Sequence, residues 1–256
     1  TFTQESSCIS PDKKFVAIGT DFTVVPQKVS IYAINEDNSL TLKTTEDLQE
    51  STCKYGVKSL TFTPSQSHII VLCQKGAHWM EFNNGIVNNV QAFPVSSWPA
   101  TGTTPVKPRM AVFVGDYVYM TVRQPNTNDY DLYSAQIING NLGDFTKKLD
   151  NVGSTIRLFG NYLIASQGLK MNLIELSSGN AYLREAGNAA GSGIASGAMR
   201  INDQEFYVLS ASASGQVPVT VSFYKIESNT MQLTNSFQIS TSGTFRSGFT
   251  EDKSSL

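Results

Sequence analysis

Charge is what this sequence has little of. Only 16% of its 256 residues are Asp, Glu, Lys or Arg, and the formal net charge is −2. A sparsely charged, near-neutral chain has no general attraction for nucleic acid or anionic membranes, so neither is expected as a partner. Histidine is scarcer still, with His68 and His78 the only two. Zinc takes three or four ligands at short spacing. Here Cys73 lies between a histidine read as part of a turn and one read as opening a different strand, so no metal and no cofactor is expected. Ser-His-Asp catalysis would have two possible bases and no nucleophile elbow near either, and no catalytic residue is assigned. No apolar run is long enough to span a bilayer. Residues 1–7 have neither the basic nor the apolar region of a signal peptide. Asn-x-Ser/Thr sequons are absent. Cys8, Cys53 and Cys73 make an odd number at irregular spacing. They read as buried free thiols in a reducing compartment, hence cytoplasmic, although the missing initiator Met leaves secretion open.

What the chain does have is repetition. Ile9-Ser-Pro-Asp-Lys-Lys-Phe-Val-Ala-Ile18 returns as Phe62-Thr-Pro-Ser-Gln-Ser-His-Ile-Ile-Val71, then as Phe113-Val-Gly-Asp-Tyr-Val-Tyr-Met120 and Phe159-Gly-Asn-Tyr-Leu-Ile164. It returns again as Ile201-Asn-Asp-Gln-Glu-Phe-Tyr-Val-Leu209 and begins once more at Phe249. The leading apolar residues stand 53, 51, 46, 42 and 48 positions apart, the period of a propeller or solenoid unit. In each copy a strand ends on the apolar residue, a Pro, Asp, Asn or Gly turn reverses it, and a second strand leaves with alternating polarity. Two more strands follow, joined in the third copy through Asn139-Gly140, whose positive φ angles suit a tight hairpin.

Four antiparallel strands per repeat describe an all-β chain, a β-propeller of four-stranded antiparallel blades. About five complete blades are expected, at about 1–50, 54–97, 109–149, 152–187 and 193–240, in one domain over 1–256. Residues 241–256 would supply the inner strand of a further blade or a closing strand, so the chain reads as part of a larger propeller, longer chain or assembly. The Ser10-Pro-Asp-Lys-Lys-Phe-Val-Ala17 turn resembles the inner hairpin of WD40-type blades. Val29-Ser-Ile-Tyr-Ala-Ile34 followed by Ser39-Leu-Thr-Leu42, and Phe223-Tyr-Lys-Ile226 followed by Met231-Gln-Leu-Thr234, are similar to lactonase-type propellers. No Trp-Asp dipeptide occurs, so the resemblance implies an architecture rather than one family.

Candidate sites follow from that architecture. Arg109, Arg157, Arg200 and Arg246 are four of only six arginines, and with Lys58 all fall within or beside the first strand of a repeat. First strands line the channel of a propeller, where such cations could hold an anionic ligand. Local pairing of each cation is the competing explanation. Trp98, in a Pro-rich connection, and Phe22, in the loop after the second strand, are candidate partner anchors. The glycine-rich stretch 187–197 lacks the Gly-Lys-Ser/Thr ending of a phosphate loop and reads as an inter-blade linker. Glycosidase chemistry needs paired carboxylates, yet of the first strands only that bearing Glu5 carries an acid. The expectation is a non-enzymatic scaffold or assembly subunit presenting rim loops to partner proteins. A lactonase-like hydrolase binding an anionic substrate in the channel is the alternative, and a glycosidase ranks below it.

Overall fold

In a computed structural model, the described residues are 6–20, 26–53, 56–94, 107–125, 127–191, 194–211 and 218–239. They form two compact units, divided between Asp150 and Asn151. The first unit holds three sheets. The first contains β1 (Ser7–Ile9), β2 (Phe15–Gly19), β3 (Lys28–Ile34) and β4 (Leu40–Asp47). After the short helical turn α1 (Glu50–Cys53) comes the second sheet, with β5 (Val57–Phe62), β6 (His68–Cys73), β7 (Gly76–Asn83) and β8 (Ile86–Pro94). The third contains β9 (Lys107–Val114), β10 (Tyr117–Arg123), β11 (Tyr130–Ile138), β12 (Asn141–Leu142) and β13 (Thr146–Leu149), with β12 and β13 both pairing with β11. The second unit holds β14 (Thr155–Phe159), β15 (Tyr162–Gln167), β16 (Lys170–Ser177) and β17 (Asn180–Asn188) in one sheet. Its other sheet is β18 (Ile194–Arg200), β19 (Glu205–Ala211), β20 (Val219–Glu227) and β21 (Thr230–Ile239). Every strand pair is antiparallel between neighbours in sequence, apart from β13, which reaches back past β12 to β11.

Local turn chemistry sets where these hairpins reverse. Lys13 and Gln66 occupy the same left-handed position in the first two repeats, at φ 61° and 57°. In each turn the hydroxyl before the proline caps the strand that follows: Ser10 Oγ accepts from Phe15 N at 2.9 Å, and Thr63 Oγ1 from His68 N at 3.1 Å. Asn139 and Gly140 both take positive φ, as do Ser228 and Asn229, which is the geometry of tight two-residue hairpins.

Middle strands are covered on both faces and read as apolar runs: five consecutive residues of β10 and five of β19 are buried. The outer strands β4 and β21 are mostly exposed. Between the first two sheets lies a core around Phe15, Ile31, Phe62 and Phe82; between the second and third, one around Trp79, Phe113, Met120 and Tyr133; within the second unit, one around Phe159, Leu173, Phe206 and Tyr224. Tyr119 and Tyr133 are core residues.

Three expectations are corrected. Cys53 and Cys73 form a disulfide, leaving only Cys8 free. Helical turn α1 folds the connector after β4 back onto the β6–β7 hairpin, and that brings together two cysteines 20 residues apart. His78 does not open its strand but lies inside β7, fully buried, and His68 is the first residue of β6 with its ring stacked 4.6 Å from Trp79. The stretch 187–197 is not all linker either, because β17 runs to Asn188 and β18 starts at Ile194. Trp79 also donates from Nε1 to the Gly140 carbonyl at 2.9 Å, tying the second sheet to the β11–β12 turn. Trp79→Phe removes that donor and should cost about 1 kcal/mol in a urea titration.

Candidate functional site

The expected cationic positions distribute as follows. Lys58 lies on β5 and Arg109 on β9, both half-buried. Arg157, on β14, and Arg200, at the end of β18, are exposed. Phe22, Trp98 and Arg246 lie outside the described residues.

Two of these positions share a feature that composition hides. In the ladder between β5 and β6, Val57 opposes Cys73 and Ser59 opposes Leu72, so Lys58 is the extra residue of a β-bulge. In the ladder between β9 and β10, Met110 opposes Thr121 and Pro108 opposes Val122, so Arg109 is an extra residue in the same sense. A bulge interrupts the pleat and re-aims the side chain it carries. Lys58 and Arg109 each stand four residues before the anchor of their repeat, Phe62 and Phe113. They are thus equivalent positions on the first strands of neighbouring sheets in one unit, and β5 and β9 pack against each other. The Lys58 side chain makes no hydrogen bond or ion pair with any described residue. The common offset was legible in the repeats; the bulge, a property of strand pairing, was not.

In the second unit the arginines have local partners. Arg157 Nη1 donates to the carbonyl of Ile156 at 2.9 Å, and Arg200 is ion-paired with Asp203. Arg157 precedes its anchor by two residues and Arg200 by one, so period-2 alternation puts them on opposite faces of their strands.

A cleft of about 300 Å³ opens where three hairpin turns of the second unit meet, floored by buried Phe159 and edged by Asn161, Tyr162, Asp203, Lys225 and Glu227. Asn202 shapes one turn, its Oδ1 accepting from the backbone N–H of Gln204 and of Glu205, both at 2.9 Å. Tyr162 donates its hydroxyl to Asn229 Oδ1 at 2.5 Å and so ties the two sheets across the cleft. Lys225 pairs with Glu227 at 3.4 Å. The cleft offers hydrogen bonds and paired charges, and no histidine is among the described residues that line it.

Burial lowers the basicity of both histidines. His78 Nε2 accepts from the Gln49 N–H at 3.3 Å and lies 2.9 Å from the Thr52 hydroxyl. A backbone N–H can only donate, so the ring proton sits on Nδ1, which is buried without a partner. Burial holds the imidazole down at about 4. Burial also lowers His68, against an opposing pull from Glu81. The Cys8 thiol is pushed up to about 12 by burial, far from a thiolate at neutral pH. Among the described residues no group of three or more His, Cys, Asp or Glu is placed to hold a metal ion, and no helix is long and apolar enough to cross a membrane.

No protein-family model matches the sequence, and no curated protein matches it. Solved structures do. A periplasmic gluconolactonase of Pseudomonas aeruginosa superposes over 91% of this chain and 70% of its own, at 14% identity and a TM-score of 0.60. The β-propeller domain of Cps50 (Swd1) from Myceliophthora thermophila matches 93% of this chain and 74% of its own, at 12% identity and a TM-score of 0.59. The C-terminal WD40 domain of Sif2 matches 88% and 55%, at 15% identity and a TM-score of 0.55. The chain is similar to both WD40-type and lactonase-type propellers, as its hairpins implied. It has a β-propeller fold, with five antiparallel blades in the described residues, four of them four-stranded and the third carrying the extra short strand β12.

Proposed function

We propose that this chain is a non-enzymatic propeller that docks an acidic segment of a partner protein on Lys58 and Arg109. The supporting observation is their shared placement: two cations at one repeat position, each re-aimed by a bulge, on first strands that pack together. The Lys58 side chain has no charge partner among the described residues, and a carboxylate arriving from outside would supply one. The lactonase-type and WD40-type neighbours supply the alternatives of hydrolase and binding module. Two depressed or buried histidines and locally paired arginines favour the binding module. The buried disulfide supports an oxidising compartment over the cytoplasm.

A fluorescent poly-glutamate peptide is the probe. Its affinity should fall with added salt and drop about tenfold or more in Lys58→Gln and in Arg109→Gln, since removing one member of a close charge pair costs at least that much. Equal binding by wild type and both variants would overturn the proposal. Aldonolactone hydrolysis should run at the spontaneous rate; saturable hydrolysis lost in Arg109→Gln would establish the hydrolase instead.

A further inference from the structure

The fifth blade ends on a strand unlike the other outer strands. β21 is the longest described strand at ten residues, and eight of the ten are exposed. It contains no charged residue, no proline and no glycine. Outer strands of sheets are usually protected against pairing with other chains by charges, proline or brevity. β4 carries Lys43, Glu46 and Asp47; β8 ends on Pro94; β13 is four residues long with Lys147 and Lys148; β17 carries Arg184 and Glu185. Among the described residues β21 pairs only with β20, so its other edge presents unused backbone N–H and C=O groups.

The side chains give that edge a direction. Tyr207 opposes Phe223, and Phe237 lies diagonal to Phe223 on the same face, because Phe223 opposes Asn235 and Val221 opposes Phe237. The three rings make a row, with centroids 5.9 Å apart at both steps. It starts at Tyr207, 7% exposed, and stops at the open edge on Phe237, 46% exposed. A bulge at Thr234 flips the alternation, so Leu233 belongs to the opposite face and the regular stretch beyond it is residues 235–239.

We propose that β21 pairs with β21 of a second copy of this chain, antiparallel about a twofold axis at Phe237. In that register Phe237 meets Phe237 of the second copy, Ser236 meets Gln238, and Asn235 meets Ile239. An isologous contact sets the residue on the axis against its own symmetry mate and its neighbours against residues of the same strand, which penalises strands charged near the axis and not this one. The aromatic row of three rings continues across the axis as six, in the offset or edge-on contact that rings prefer. The strand includes neither Lys58 nor Arg109, so this pairing does not rest on the docking proposed above.

Sedimentation equilibrium tests it. Wild type should give twice the chain mass of 27.9 kDa, falling to the chain mass in Phe237→Lys. Tyr182→Lys, at an equally exposed aromatic on β17, should stay dimeric. Should Phe237→Lys fail to fold, Gln238→Lys on the same strand carries the test. A monomeric wild type, including one whose edge takes a strand from another protein, would overturn the pairing, as would a dimer unaffected by either β21 variant or broken equally by Tyr182→Lys.

Discussion

Replacing Cys53 and Cys73 together by Ser should destabilise the first unit by about 3 kcal/mol, the order expected for opening a loop of this length in the unfolded chain. The disulfide closes a separation of 20 residues, and both cysteines are fully buried. It does more than join two points. Helical turn α1 is also bound through Lys75 N, which donates to the Thr52 carbonyl at 3.1 Å. The connector that contains it clamps both ends of the β2–β3 loop: Leu48 N donates to the Gln27 carbonyl at 2.7 Å, and Val57 N to the Thr20 carbonyl at 3.0 Å. Loss of the disulfide should therefore raise amide exchange at Leu48 and Val57 before global unfolding. Calorimetry of the double variant beside wild type checks the stability, and unchanged exchange at those two amides would show that the clamp does not depend on the disulfide.

Acidification is the second large effect. His78 is held neutral by burial at about 4, against about 6.5 in an unfolded chain. A base whose folded value is depressed contributes stability that is complete above about 6.5 and is lost as pH falls from there toward 4, because the unfolded chain takes up the proton first. The full shift corresponds to roughly 3 kcal/mol. Structurally, protonating Nε2 sets a donor against the Gln49 N–H and undoes the contact between β7 and the connector. Urea titrations at neutral pH and near pH 4 should differ less in His78→Gln than in wild type, by roughly 2 kcal/mol or more. His68 shifts in the same direction and is left intact in that variant, so an identical pH dependence would assign the effect elsewhere.

The blades were legible because hairpins are local. Pro11-Asp12, Asn139-Gly140 and the turn after Glu227 state their geometry in a few residues, and the alternation on either side gives the strands. The disulfide was not legible, since it depends on α1 folding a connector back onto the β6–β7 hairpin. Cysteine spacing carries no trace of that. Stretch 187–197 misled for a related reason: its small residues read as linker, yet a backbone ladder needs no side chain, and Lys170 opposes Asn188 while Ile194 opposes Ala211. Residue type identified Lys58 and Arg109 as first-strand cations. Only the pairing register showed that both are bulged, and that Arg157 and Arg200 are placed differently.

The bond between Cys53 and Cys73 also changes what the first unit is as a thread. Tension applied along the chain passes through sulfur and bypasses the 20-residue path containing β5 and β6. About 70 Å of contour length is thereby withheld from any pull on the chain until the disulfide is reduced. A cut anywhere along that path leaves the two pieces covalently one molecule.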